Sequence, residues 1–228
     1  MTYTKCGQLQ RILLGLVLIL SLSGCAATLT APTDVEDPAP VWVLDHGRHN
    51  SLVVAPSEDL VMRYALGEWA WYADHQTGLI QALSALLWPT TSALGQAQLI
   101  GLDPGCWQAQ VGSEIRSVMT FAAEREAVAE LVDKLTVQFD QSAVPPAYRP
   151  DLNLYFVPGP QPYHLLFNSN HQVVDWLESM GFAVRGVVAF GQLRPSDPAL
   201  RRIPERRNQS SESASSSACS ASIHSSSN

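Results

Sequence analysis

The sequence predicts an α+β domain with a mainly antiparallel sheet, and two observations predict it. Short apolar segments of strand type, rich in valine and aromatic residues, recur along the chain between turn residues. Two longer segments, 122–139 and 169–180, instead carry apolar residues at the helical spacing of three and four. With 228 residues, of which 46% are hydrophobic and 15% charged, the chain fits one ordinary globular domain.

The predicted elements follow in chain order. Residues 41–45 and 51–55 are strands on either side of the turn 46–49, and Ser57 before two acidic residues indicates a short helix over 57–65. The remaining predicted strands are 68–72, 97–102, 114–121, 152–157 and 184–190. The remaining predicted helices are 79–88, 122–139 and 169–180, the last with Gly181 as its expected C′ residue.

The N-terminus has the pattern of a bacterial export signal. Lys5 and Arg11 precede the apolar run 12–22, which is shorter than the about 20 residues that a transmembrane helix needs. Small residues then lead to a cysteine in the stretch 22–25, Leu-Ser-Gly-Cys, which resembles the lipobox of bacterial lipoproteins. The resemblance implies that a signal peptide ends before Cys25 and that the thiol of this cysteine takes a lipid.

This resemblance sets the expected domain organisation and location. We expect a signal peptide over 1–24, lipidated Cys25 with a proline-rich tether over 25–40, the α+β domain over 41–206, and a serine-rich disordered tail over 207–228. Ala26 rather than Asp follows the cysteine, which is similar to the outer-membrane sorting rule of Gram-negative lipoproteins. The expected partner is the lipid bilayer, reached from the periplasmic side through the lipid on Cys25.

The charge of the chain excludes one class of partner. The formal net charge is −7, and loss of the signal peptide removes Lys5 and Arg11 but no acidic residue, which leaves −9. Nucleic-acid binding depends on lysine and arginine neutralising phosphates, so we expect no nucleic-acid partner. Electrostatic docking of the whole domain on an anionic bilayer is equally disfavoured, so anchoring depends on the lipid.

The cysteines and histidines predict neither a bridge nor a metal site. A disulfide between Cys106 and Cys219 is chemically permitted outside the cytoplasm, but Cys219 lies in the serine-rich tail, and we expect no structural bridge. No cysteine–histidine spacing typical of zinc is present. Four histidines could supply imidazole ligands, although their spacing does not require it and we expect no metal or cofactor: His46, His49, His164 and His171.

Three segments combine polar and aromatic residues that could carry chemistry. They are His46-Gly47-Arg48-His49-Asn50, Leu66-Gly67-Glu68-Trp69-Ala70-Trp71-Tyr72, and Tyr163-His164-Leu165-Leu166-Phe167-Asn168-Ser169-Asn170-His171. Together they resemble a family of uncharacterised bacterial proteins, a domain of unknown function first noted beside urease genes. That family has His-Gly-Trp-His-Thr-Gly early, Gly-Trp-Gly-Asp with Phe-Tyr next, and Thr-Cys-Asn at the start of a late helix. The order and spacing of these motifs match over about residues 41–190.

The layout also resembles the circularly permuted NlpC-type branch of the papain-like superfamily. This resemblance implies an α+β enzyme that attacks an amide, ester or thioester carbonyl. In that branch a histidine on an early strand is the base, a polar residue on the next strand orients it, and a cysteine begins a late helix. The resemblance makes His49 the base and Glu68 its orienting partner, and places Ser169 where the nucleophile stands. The expected substrate-binding residues are Tyr72, Tyr163 and Asn170.

Serine in the place of cysteine leaves two function classes open. A helix N-terminus lowers the pKa of a thiol, but a hydroxyl is too weak an acid to be ionised by it. Ser169 would need a base such as His49 and an oxyanion site, which N–H groups near Asn170 could supply. Alternatively, Ser169 is a helix N-cap or a ligand contact, His49 is a structural residue, and Glu68 is a strand-edge carboxylate. The sequence therefore predicts an envelope lipoprotein that is either a serine-variant hydrolase or acyltransferase, with cell-wall or lipid substrates nearby, or a non-catalytic binding or scaffolding protein.

Overall fold

In a computed structural model, the structure describes residues 26–47, 49–72, 88–164, 167–188 and 192–203, and these form an α+β domain, as predicted. The strands are β1 (Ala27–Thr30), β2 (Pro38–Asp45), β3 (Asn50–Ser57), β4 (Leu60–Glu68), β5 (Ser92–Leu99), β6 (Ser117–Glu124), β7 (Ala147–Arg149), β8 (Leu154–Pro158), β9 (Ala183–Arg185), β10 (Leu193–Pro195) and β11 (Arg201–Arg202). The helices are α1 (Trp69–Tyr72), α2 (Gln108–Val111), α3 (Arg125–Asp140) and α4 (Ser169–Ser179), with 3₁₀ turns at Pro104–Cys106 and Pro198–Leu200.

The strands form two sheets. The main sheet is antiparallel throughout, with eight strands in the order β11-β6-β2-β3-β4-β5-β8-β7. The small sheet has the order β10-β1-β9, and its β1–β10 pair is parallel. Strands β2 to β5 are neighbours both in the chain and in the sheet, so the chain repeatedly returns to the same end of the sheet.

Both faces of the main sheet are covered, which explains why its central strands are apolar on both sides. Helices α3 and α4 pack on one face, and the apolar side that the spacing predicts for α3 is buried there: Val128, Leu131, Val132 and Leu135. On the other face, Trp107 and Val111 lie in a second cluster against the sheet. The ring of Trp107 meets that of Trp42 edge to face, with ring centroids 4.9 Å apart.

Helix α4 ends as its sequence predicts. Gly181 has φ +87°, which a residue without a Cβ adopts without strain. Its N–H donates to the carbonyl of Glu178, and the N–H of Phe182 donates to the carbonyl of Leu177. These two hydrogen bonds form a Schellman motif, with the side chains of Leu177 and Phe182 both buried in the core.

The helix predicted over 57–65 is wrong, because these residues close a hairpin. Ser57 ends β3, Glu58 and Asp59 form the turn, and β4 begins at Leu60. The acidic pair after a serine suits a helix start and a turn equally well. Burial on both faces of β4 removes the alternation that would have marked a strand.

The strand predicted over 68–72 is also wrong. Glu68 is the last residue of β4, and α1 begins at Trp69. The Glu68 carboxylate accepts a hydrogen bond from the N–H of Trp71 at 2.7 Å, which is the side-chain cap of a helix start. Trp69, Trp71 and Tyr72 therefore lie in a capped helical turn and not in a strand.

Several other predicted bounds shift. The observed strand β5 begins and ends earlier than the predicted strand 97–102, and β6 extends into the segment 122–124 predicted as helix. Strand β9 covers 184 and 185 of the predicted strand 184–190 and belongs to the small sheet, and residues 189 and 190 lie outside the described residues. The observed strand β8 lies within one or two residues of the predicted strand 152–157. Of the predicted helix 79–88, residues 79–87 lie outside the described residues, as do the signal peptide and the tail over 207–228. In the described part of the chain, no helix has the length and apolar character needed to cross a membrane.

The segment expected to be a tether is folded from Ala27 onward. Strand β1 pairs with β9 and β10, which lie more than 150 residues later in the chain. Ala27 and Leu29 are fully buried in the main core cluster. Residues 27–30, and residues 38–40 at the start of β2, therefore belong to the domain, and the expectation of a polar tether over 25–40 is wrong for them.

Candidate active site

The three motif segments meet at one end of the main sheet. His49 lies immediately before β3, Glu68 ends β4, and Ser169 begins α4. The turn that carries His49 is held by backbone geometry: the N–H of His46 donates to the carbonyl of His49 at 2.9 Å, and Gly47 has φ +96°. Local turn chemistry therefore places His49 at the edge where helix α4 begins.

His49 and Ser169 are brought together. The Nδ1 atom of His49 lies 3.0 Å from the Oγ atom of Ser169, within hydrogen-bond distance. The serine hydroxyl donates to Nδ1 when the imidazole carries its proton on Nε2. This is the contact that a serine nucleophile and a general base require.

The residue that caps α4 is Asn168, so the interpretation of Ser169 as the N-cap is wrong. The Oδ1 atom of Asn168 accepts hydrogen bonds from the N–H groups of Asn170 and His171. Ser169 is the first helical residue, and its side chain points to His49 instead of back to its own helix. An asparagine directly before the helix was a readable signal for this cap.

Asn170 takes a structural role that its sequence position did not reveal. Its Oδ1 atom accepts a hydrogen bond at 2.9 Å from the Nδ2 of Asn50, and both side chains are buried. Asn50 and Asn170 directly follow His49 and Ser169, so this amide pair joins β3 to α4 beside the serine–histidine pair. The backbone N–H of Asn170 is already donated to Asn168, which removes it from the expected oxyanion site.

Tyr163 adjoins Ser169. Burial raises the pKa of the Tyr163 phenol, while hydrogen bonding with the hydroxyl and the backbone amide of Ser169 acts in the opposite direction, so the phenol stays protonated near neutral pH. Tyr163 is buried, and Ser169 is only 2% exposed. The tyrosine is thus a direct neighbour of the candidate nucleophile.

Glu68 reaches the same end of the sheet and is buried, but its hydrogen bond goes elsewhere. The carboxylate is held by the N–H of Trp71, and it is close enough to Tyr163 to raise the pKa of that phenol. Among the hydrogen bonds of the described residues, none joins Glu68 to His49. The orienting role expected for this carboxylate therefore has no direct contact behind it.

Tyr72 stands beside the imidazole of His49. Their rings meet edge to face, with centroids 6.1 Å apart. Gly67 makes room for the tyrosine, because a Cβ atom there would overlap the ring. Burial raises the pKa of Tyr72 above its ordinary value, so its phenol is also neutral near pH 7.

A second serine–histidine pair lies on the opposite face, and the sequence did not predict it. The Nε2 atom of His46 lies 2.9 Å from Ser51 Oγ, and its Nδ1 lies 2.9 Å from the carbonyl of Glu114. Arg63 donates to Ser51 Oγ and to the carbonyls of Val111 and Leu152. Burial lowers the pKa of His46 to about 4 and that of Arg63 to about 10.

No metal site accompanies these residues in the described part of the chain, where no group of three or more histidine, cysteine or acidic residues is placed to hold an ion. A cavity of about 350 Å³ is lined by residues 89–92 and 159–162. It adjoins Tyr163, which pairs with Thr90, rather than Ser169 itself.

Cys106 is disulfide-bonded, so the expectation that it forms no bridge is wrong. The other cysteines of the chain lie outside the described residues.

Comparison with protein families, with curated proteins and with solved structures finds no match to this chain. The resemblance to the urease-region family and to permuted papain-like enzymes therefore depends on the three motifs alone. What the site can do must be argued from its own geometry.

Proposed function

We propose that this chain is a serine-dependent acyl hydrolase or acyltransferase of a bacterial envelope, with Ser169 as nucleophile and His49 as base. One observation carries the proposal: the 3.0 Å separation of Ser169 Oγ and His49 Nδ1 at the first residue of a helix. Neither residue reaches the other by local chain geometry, since 120 positions separate them. A fold that joins a hydroxyl to an imidazole in this way has the first two members of a nucleophilic site.

The proposed reaction begins with transfer of the Ser169 proton to His49 Nδ1 as Oγ attacks a carbonyl carbon. The carbonyl π electrons move to oxygen, and the O–H of Tyr163, whose oxygen hydrogen-bonds with Ser169, is the proposed donor to this oxyanion. The imidazolium then returns its proton to the leaving group as the carbon–heteroatom bond breaks. Water, or an acceptor alcohol or amine, releases the acyl group by the same base-assisted route.

A fluorophosphonate probe tests the nucleophile, because it phosphonylates only an activated serine. We expect the full chain to be labelled, and Ser169→Ala and His49→Ala each to reduce the labelling rate at least a hundredfold. Ser179→Ala is the matched control, since Ser179 lies at the exposed far end of the same helix and bonds its own helix at Trp176. Unchanged labelling of Ser169→Ala would refute the assignment.

The envelope location is proposed from the lipobox and has a separate test. In cells given labelled palmitate, the wild-type chain incorporates label, and Cys25→Ala neither incorporates it nor is processed. Cys6→Ala, in the expected signal peptide, controls for the loss of a cysteine as such. Equal incorporation in Cys25→Ala would contradict the lipoprotein assignment without affecting the chemistry of Ser169.

A second function, a non-catalytic ligand-binding or scaffolding lipoprotein, has two observations in its favour. Ser169 is only 2% exposed, so a substrate carbonyl reaches Oγ only if the residues that cover it move. Glu68 bonds Trp71 instead of the imidazole that it was expected to orient. Complete absence of labelling in the wild-type chain, with the fold intact, would favour this function over the enzyme.

A further inference from the structure

We infer that the outer face of the small sheet is a contact surface for anionic phospholipid headgroups. The inference rests on the proposed lipidation of Cys25. Strands β1, β9 and β10 contain two charged residues, Arg185 and Arg194, and both are positive and exposed. The charged residues of the small sheet are thus all basic, although the chain as a whole is acidic. The same sheet contains β1, the first strand after the proposed lipid anchor at Cys25.

Sheet register puts the two arginines in one row. Thr28 of β1 pairs with Arg185 of β9 on one side and with Arg194 of β10 on the other. Directly paired residues project to the same face of a sheet. The alternate positions Ala27 and Leu29 are buried in the core, so the row Arg185–Thr28–Arg194, here called the basic row, lies on the outer face.

The distance from the anchor to the basic row is short because β1 begins almost at once. One residue, Ala26, separates Cys25 from β1, and Cα atoms are about 3.8 Å apart along the chain, so Thr28 lies at most about 11 Å from Cys25. Ala26 is itself packed against Gly186, where an added Cβ would stand 2.6 Å from the Ala26 carbonyl oxygen. A lipid on Cys25 would therefore hold the basic row within about one Debye length, roughly 8 Å, of the headgroups once the arginine side chains extend.

The net charge of the domain limits the basic row to orienting the domain rather than anchoring it. The processed chain carries −9, so an anionic bilayer repels the domain as a whole, and the row does not replace the lipid as an anchor. A basic residue at an anionic surface strengthens association about fivefold. Two such residues at one edge orient an already tethered domain, with the small sheet toward the bilayer.

The test uses the acylated protein purified from membranes and reconstituted in vesicles of phosphatidylcholine, with or without about 30% phosphatidylglycerol. Phenylglyoxal modifies exposed guanidinium groups, and mass spectrometry reads each site. We expect Arg185 and Arg194 to be modified at least fivefold more slowly on the anionic vesicles, with the protection lost at high salt. Arg116, an exposed arginine outside the small sheet, is the internal control.

The outcomes distinguish failure of the proposed contact surface from failure of the proposed lipidation of Cys25. Equal modification of Arg185 and Arg194 on both vesicle types, in protein whose N-terminal peptide carries the lipid mass, would overturn the contact surface alone. Absence of the lipid mass would instead overturn the lipoprotein proposal. Arg185→Glu combined with Arg194→Glu should leave acylation unchanged and abolish any difference in the proteolytic accessibility of the domain between the two vesicle types.

Discussion

The structure contains two serine–histidine pairs whose histidines, His46 and His49, lie three residues apart on one turn. The surroundings of the two pairs differ. His49 reaches Ser169 at 3.0 Å, and His46 reaches Ser51 at 2.9 Å. In the second pair both imidazole nitrogens are engaged, and the serine oxygen also accepts from Arg63. In the first pair the serine begins a helix, where backbone N–H groups favour developing negative charge.

The comparison shows that a hydroxyl–imidazole distance does not by itself identify a reactive serine. A cation that donates to Ser51 Oγ withdraws the lone pair that an attack would use, and burial keeps His46 neutral down to a pH of about 4. Among the described residues no arginine or lysine donates to Ser169 Oγ, and Tyr163 lies next to it. The following predictions contrast the two pairs, from the largest expected effect to the smallest.

Arg63→Ala should lower the free energy of unfolding by about 3 kcal/mol or more. Arg63 is 2% exposed, and its loss leaves the carbonyls of Val111 and Leu152 and the hydroxyl of Ser51 without their buried donor. Urea denaturation measures the change. Arg202→Ala, at an exposed position of strand β11, should cost less than about 0.5 kcal/mol. Equally small losses of unfolding free energy in the two variants would show that Arg63, and with it the pair His46–Ser51, does not stabilise the fold.

The stability of the folded chain should fall as the pH falls from about 6.5 to about 4. Burial lowers the pKa of His46 from its ordinary 6.5 to about 4, so over this interval the unfolded chain binds a proton that the folded chain does not. The full difference is at most about 3 kcal/mol. His46→Gln should flatten this part of the pH profile. An unchanged slope in His46→Gln would contradict the assignment.

Asn170→Ala should lower the free energy of unfolding by about 1–3 kcal/mol, because it leaves the buried Nδ2 of Asn50 without its acceptor. It should also slow fluorophosphonate labelling, since Asn50 and Asn170 join β3 to α4 beside the proposed nucleophile and base. The double variant Asn50→Ala with Asn170→Ala should cost less than the sum of the single changes, and a double-mutant cycle measures this coupling. Additive losses would show that the amide pair does not hold the two elements together.

Much of this fold follows from local signals in the sequence. The hairpin at 41–55, the apolar face of α3 and the end of α4 at Gly181 each depend on neighbours within a few residues, and each was predicted. Strand β1 was missed because its partners are more than 150 residues away and its alternation of apolar and polar residues extends over only four residues. Strand β4 was missed because burial on both faces hides a strand's alternation.

The candidate site likewise contains residues that the sequence predicted and residues that only the tertiary structure reveals. His49 and Ser169 were found because motif order placed them, and the structure brings them together. The amide contact of Asn50 and the buried charge of Arg63 were not predicted, since each acquires its role only from residues that tertiary folding brings to it. Sequence reasoning therefore located the contact between His49 and Ser169 better than the residues that hold this contact in place.

Glu68→Gln gives the smallest expected effect and decides whether the first pair has a third member. Glutamine keeps an oxygen that accepts from the N–H of Trp71, so the free energy of unfolding should change by only about 0.5 kcal/mol through the lost charge at the start of α1. Because the hydrogen bond of Glu68 goes to Trp71 and not to His49, the labelling rate should stay within about twofold of the wild type at every pH. A drop of a hundredfold or more, with stability unchanged, would show that the carboxylate orients His49 during the reaction. The first pair would then be a complete triad that forms only when substrate is bound, and its contrast with His46 and Ser51 would be greater still.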